Sequence, residues 1–137
     1  MTKTFSGGCS CGEVRYTCDA EPLATIICHC NDCQHATGGP FGVVLFVPRD
    51  ALSLQGELGS QEVTGNTGNQ VKRKYCRACG SPIIGETQSL PKWFGISVGS
   101  LDDSSWVQPQ AHCWVSRKQS WVVINDGLPQ FAEAPRF

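Results

Sequence analysis

Apolar and polar residues alternate with a period of two in short runs along much of the chain. In Glu13-Val14-Arg15-Tyr16-Thr17-Cys18 the apolar Val14, Tyr16 and Cys18 share one face, the pattern of a strand with one wet side. Similar runs predict strands at residues 24–28, 41–47, 62–67, 71–75, 83–86, 93–98, 111–116 and 121–125. They recur at intervals of roughly ten residues and are cut by Gly-Gly, Asn-Thr-Gly-Asn and Asp-Asp-Ser-Ser, which predicts antiparallel sheets in a sandwich or tent. Residues 31–37 predict one short helical turn, stopped by Gly38-Gly39-Pro40, and residues 48–52 a second. No long helix, repeat, low-complexity run or linker is expected, and the tail over 127–137, with Pro129 and Pro135, reads as irregular.

Composition agrees with an all-β reading. Fifteen glycines, eight prolines and a single methionine disfavour long helices and supply turns. A chain of 137 residues is one domain's worth of sequence, taken as a single domain over 1–137, and is long enough to build a core without staples. Charged residues make up 17%, the net charge is -1, and no basic run exceeds Lys72-Arg73-Lys74, which argues against a nucleic acid or a membrane surface as partner. The longest apolar run, residues 43–47, is far short of the ~20 residues a membrane span needs, and the first residues carry no apolar export signal. A soluble, cytoplasmic protein is therefore expected. In a reducing compartment, nine cysteines at short spacings point to metal rather than to disulfides.

Seven of those cysteines form three clusters: Cys9-x-Cys11, Cys28-x-Cys30-x-x-Cys33 and Cys76-x-x-Cys79-Gly80. Cys-x-x-Cys lets two thiolates reach one ion from a tight turn, with Gly80 letting the backbone fold beneath the metal and aim N–H groups at sulfur. In an extended Cys-x-Cys both side chains lie on one face, so Cys9 and Cys11 can supply the other half of a Cys₄ site, with Gly7, Gly8 and Gly12 allowing the bend. The middle cluster then has three thiols and no suitable fourth ligand close downstream except His35, the arithmetic of a catalytic zinc with an open position. A competing grouping joins two of Cys28, Cys30 and Cys33 to Cys76 and Cys79 and strands Cys9 and Cys11. Plain alternatives are buried thiols or a disulfide for the outer four, and a redox motif or an idle, water-filled zinc site for the triad.

The stretches GGCSCGEVRY, CHCNDCQHATGGPFG, KYCRACGSPIIGE, GSLDD and QPQAHCWVSRKQSWVVINDGLPQF, in this order, resemble the glutathione-dependent formaldehyde-activating enzyme family, also called the centromere protein V family. The resemblance covers nearly the whole chain. It implies a small antiparallel β-tent clamped by zinc, similar to methionine sulfoxide reductases of the B type, though kinship of fold does not transfer function. By position it implies Cys9, Cys11, Cys76 and Cys79 as ligands of a structural zinc, and Cys28, Cys30 and Cys33 as ligands of a catalytic zinc, two Zn2+ per chain. The implied activity is that of a carbon–sulfur lyase joining formaldehyde, a small aldehyde, to the thiol of glutathione as S-hydroxymethylglutathione. Three thiolates leave the ion a poor Lewis acid, so orienting the reactants carries more of the expected catalysis than polarisation. The alternative from another class is a non-catalytic zinc module that binds a partner or buffers metal.

The other residues fall around this expectation. His29 points away from its neighbouring ligands in an extended segment and reads as a core residue, while His35 is a candidate hydrogen-bond donor to a triad sulfur or a base. His112 is a candidate pocket residue. Cys18 and Cys113 read as buried small hydrophobes, although a larger apolar residue is common at position 113 in the family, which raises the case for a local redox role there. Trp93, Trp106, Trp114, Trp121, Phe41 and Phe94 read as core, with one or two walling the pocket. The Gly38-Gly39 loop with Phe41 is expected to admit a peptide-like thiol, and Arg15, Lys72, Arg73, Lys74 and Lys92 are candidates to meet the carboxylates of glutathione.

Overall fold

A computed structural model describes residues 4–65 and 68–135. The strands are β1 (Thr4–Gly8), β2 (Arg15–Asp19), β3 (Ala24–Cys28), β4 (Gly42–Pro48), β5 (Leu52–Gln55), β6 (Leu58–Thr64), β7 (Gln70–Cys76), β8 (Pro82–Thr87), β9 (Trp93–Ser97) and β10 (Ala111–Cys113). One seven-residue helix, α1 (Asn31–Thr37), joins β3 to β4. Strands β1, β2 and β5 form a three-stranded sheet, and the other seven a second sheet in the order β10-β3-β4-β9-β8-β7-β6.

The expected alternation in β2 is present: Tyr16 and Cys18 are buried and Arg15, Thr17 and Asp19 exposed. With Phe5, Val14, Leu45, Val47, Cys76, Ile83, Ile84, Ile96 and Leu101 they form the main core between the sheets. A Cβ on Gly7 would come 2.3 Å from Tyr16 Oη and 2.4 Å from the Ser100 carbonyl. Gly7 is thus required for close approach within β1; the bend after it belongs to Gly12, whose φ of 86° only glycine adopts readily.

Three expectations are corrected. The sheets are not wholly antiparallel, because β10 pairs parallel with β3. No strand forms over 121–125: Trp121 and Val123 are 67% and 81% exposed, and Lys118 Nζ donates to the carbonyls of Gln119 and Val122, folding the segment into a turn. Beyond Cys113 the predicted strand over 111–116 gives way at Trp114, a non-glycine residue at φ 55°, to a short 3-10 turn. The end of the expected strand over 62–67 and of the expected tail lie outside the described residues. Strands β1 and β5 were not expected: β1 has one large apolar residue in five, and β5 is four residues long.

Candidate metal centre and thiol site

Two turns bring four cysteines together where the two sheets meet. Cys9 follows β1 and Cys11 lies in the next turn; Cys76 ends β7 and Cys79 lies in the turn after it. Their four Sγ atoms lie within 4.8 Å of one another, with Cys9–Cys11 at 3.6 Å and Cys11–Cys76 at 3.8 Å. The backbone N–H of Val14 donates to Cys9 Sγ at 3.2 Å. Gly80, at φ 81°, closes its turn by donating to the Cys76 carbonyl at 2.8 Å, so its own N–H serves the turn and not a sulfur. Ser81, which sequence reasoning missed, joins the two turns by accepting from the Ser10 N–H at 3.1 Å and lying 3.2 Å from Cys79 Sγ. Its hydroxyl and backbone N–H hold the Cys79 thiol down to about 5. The Glu13 N–H draws Cys11 down, but burial and the facing thiols of Cys9, Cys79 and Cys76 outweigh it and push Cys11 up to about 12. Four converging sulfurs with N–H and O–H donors form a soft, anionic donor set that fits a tetrahedral ion such as zinc.

The second cluster is built on the start of α1. Cys28 ends β3, Cys30 is the N-cap of α1 with its Sγ accepting the Cys33 N–H at 3.3 Å, and Cys33 lies in the first turn. The three sulfurs lie within 4.8 Å of one another, and no fourth His, Cys, Asp or Glu among the described residues joins them. The competing grouping of triad cysteines with Cys76 and Cys79 is not the one the chain adopts. Contact with the Cys28 and Cys33 thiols and the Cys33 N–H, and the field of Arg73, bring Cys30 down to about 2 against the effect of burial; Cys28 and Cys33 are pushed up. One thiolate is favoured and the next two oppose it, a balance that a cation would shift toward full ionisation. Gly42 is the floor: a Cβ there would sit 3.4 Å from Cys33 Cβ and 3.6 Å from its Sγ.

Of the candidate cations, Arg73 alone reaches the triad, its Nη2 lying 3.8 Å from Cys33 Sγ. Arg15 is paired bidentately with Asp102, Lys72 with Glu62, and Lys74 with Glu86. At Lys92 the main chain accepts from the Arg49 N–H. Among the described residues Arg73 pairs with no carboxylate.

His29 is fully buried, as expected of a core residue, and hydrogen-bonds through Nε2 to His112 Nδ1 at 2.8 Å; His112 Nε2 lies 2.7 Å from Asp126 Oδ2. The carboxylate can only accept, so His112 Nε2 carries the proton and, in a neutral ring, its Nδ1 accepts from His29. His29 Nδ1 is left buried without a partner. Burial, with the neighbouring His112 and Lys118, lowers the His29 pKa. His112 is therefore packed between His29 and Asp126 instead of lining an open pocket, and Asp126 is a partner that no spacing signalled. His35 is exposed on α1 and makes no hydrogen bond to a triad sulfur among the described residues.

Trp93 packs on Phe46, Trp106 on Phe5 and Trp114 against the cluster of β3 and β10 residues that Cys28 also packs on, and Phe41 lies edge-on to His29 at 5.3 Å between ring centroids. A cleft of about 250 Å³ is lined by Glu21, Pro22, Ala24, Thr25, Trp106, Gln108 and Gln110, at the far end of β3 from Cys28.

Fold and site define a small, mostly β protein with two cysteine clusters able to bind metal ions, compatible with zinc. The sequence profile of the glutathione-dependent formaldehyde-activating enzyme family matches residues 4–117, and the chain belongs to that family. Among curated relatives it is similar to a "Putative glutathione-dependent formaldehyde-activating enzyme" of Penicillium rubens, 26% identical over 121 residues, covering 82% of this chain and 63% of the relative. Proteins of the same name from Phaeosphaeria nodorum and Aspergillus terreus are 27% identical over 133 residues and 29% over 120, covering 91% and 82% of this chain and 67% and 62% of theirs. The chain thus spans about two thirds or less of the length of these relatives. A crystal structure of a Rhodobacter sphaeroides protein shares the fold, with a TM-score of 0.59 at 20% identity over 92% of this chain and 98% of that one.

Proposed function

We propose that this chain is a zinc-dependent carbon–sulfur lyase-type enzyme acting on a thiol–carbonyl adduct, with glutathione and formaldehyde as its reactants. The observation that carries the reading is the three-thiol cluster of Cys28, Cys30 and Cys33, with an arginine that has no carboxylate partner among the described residues beside it, in a chain of this family. Cys9, Cys11, Cys76 and Cys79 hold a structural zinc, and the triad holds a second, catalytic zinc. When bound there, that ion supplies a cationic centre favouring the thiolate form of an incoming thiol.

The chain's residues do the rest. The Cys33 N–H and the N-cap geometry of α1 hold Cys30 in place, and Gly42 packs beneath Cys33. Arg73 lies where it meets a carboxylate of the thiol substrate and orients its sulfur toward the aldehyde. The reaction forms one carbon–sulfur bond and opens the carbonyl π bond; the thiol proton ends on the new hydroxyl oxygen. We place the protein in the cytoplasm, soluble and without nucleic-acid or membrane partners, in keeping with its net charge of -1.

Magnetisation-transfer NMR tests this by measuring exchange between free glutathione plus formaldehyde and their adduct, with zinc-loaded protein and with Cys30→Ser. Faster exchange that disappears in Cys30→Ser is expected; equal exchange with and without protein contradicts the assignment. The alternative, a non-catalytic zinc module, predicts zinc binding unaffected by added thiols.

A further inference from the structure

Cys113 lies outside the triad yet directly beside it. The parallel pairing of β10 with β3 sets Cys113 opposite Cys28 in register. Registered residues on adjacent strands point to the same face, with the strands about 4.8 Å apart. That spacing falls in the Cα separation disulfides require, roughly 4.4–6.8 Å. The geometry is held from both sides. The His29 N–H donates to the Cys113 carbonyl at 3.0 Å, and β10 is fixed by the His112 N–H to Pro129 and the Phe131 N–H to His112.

Cys113 is 3% exposed and sits in the small cluster of Ile26 and Ala111, against which Cys28 packs; Cys28 itself is only partly buried. Cys28 is thus the more exposed residue of the pair, while its neighbour is sheltered and belongs to neither metal cluster.

We propose that Cys28 and Cys113 form an oxidisable dithiol, a covalent modification site at which a peroxide converts the pair to a disulfide and removes one sulfur from the triad. Cys28 sulfur attacks the peroxide and becomes a sulfenic acid as the first water leaves. Cys113 sulfur then displaces the second oxygen as water, closing the S–S bond. Two thiols and one hydrogen peroxide give one disulfide and two waters, with two electrons passing from sulfur to oxygen. The proposal rests on the triad zinc proposed above but not on the reaction proposed with it, and the peptide map reads the cross-link independently of either.

The test uses the full zinc-loaded chain treated with hydrogen peroxide, alkylated without reduction and cut with trypsin. Cys28 falls in the peptide 16–49 and Cys113 in 93–117, and fragmentation tells Cys28 from Cys18, Cys30 and Cys33. The expected result is a Cys28–Cys113 cross-link, reversed by dithiothreitol, with release of about one zinc per chain into a chromogenic chelator. Cys113→Val should slow that release at the same peroxide dose. Cross-links confined to Cys28, Cys30 and Cys33 with Cys113 freely alkylated overturn the proposal, as does zinc release from Cys113→Val at the wild-type rate. The wild-type peptide map decides the question even where the variant folds poorly.

Discussion

Replacing the exposed Cys79 with serine tests the role of the outer cluster with little disturbance of packing. Cys79 is exposed, so serine leaves no cavity, whereas Cys76 is 1% exposed within the main core and its loss would mix packing with metal binding. The cluster joins residues 65 apart, Cys11 and Cys76, and closing a loop of that length lowers the entropy of the unfolded chain by about 4 kcal/mol. Metal–thiolate bonding adds to this, so the figure is a lower bound against a whole-domain stability of roughly 5–15 kcal/mol. Losing it should lower Tm by roughly 10–20 °C. Cys30→Ser is the control: Cys30 caps α1, and serine is a good N-cap that can accept the same Cys33 N–H. Thermal unfolding followed by circular dichroism, with bound zinc counted, should show Cys79→Ser strongly destabilised and Cys30→Ser near wild type. A Cys79→Ser protein that melts within about 2 °C of wild type while keeping its zinc refutes the reasoning.

Three further outcomes follow from the structure. Leu45→Ala, at a fully buried position on the interior strand β4, should cost about 2–5 kcal/mol in urea unfolding, and a loss below about 1 kcal/mol contradicts the core assignment. Asp102 is held at about 2 by the Arg15 guanidinium at 2.9 and 2.5 Å, helped by the Ser6 hydroxyl at 2.7 Å. A carboxylate lowered in the folded state stabilises above its unfolded pKa and loses that contribution as pH falls toward 2. The urea midpoints of wild type and Asp102→Asn should therefore converge on acidification from pH ~5, and a gap that stays constant is the contrary result. Arg73→Gln should raise KM for glutathione by about tenfold or more while changing it little for a thiol without carboxylates; equal effects on both remove Arg73 from substrate binding.

Much of this was legible in the chain, for identifiable reasons. The alternation in β2 and the Gly38 stop after α1 are local signals, and each element formed as read. Cysteine spacing within a turn is equally local, so the clusters could be read directly. The alternation over 121–125 misled because the segment has no neighbouring strand to bury its apolar face. Strand β1 was hidden because Gly7 carries no side chain where Tyr16 needs the space. Ser81, Arg73, Asp126 and the Cys28–Cys113 pairing depend on contacts between residues 14 to 85 positions apart, which local patterning does not encode.

The central claim, that the triad offers a metal position open to a substrate thiol, is tested most directly by optical titration of the cobalt-substituted protein with glutathione. Sulfur-to-cobalt charge-transfer absorption should rise as one further thiolate joins the Cys28–Cys30–Cys33 site, and Cys30→Ser should abolish the rise. A spectrum that glutathione leaves unchanged, with the triad loaded, contradicts the account.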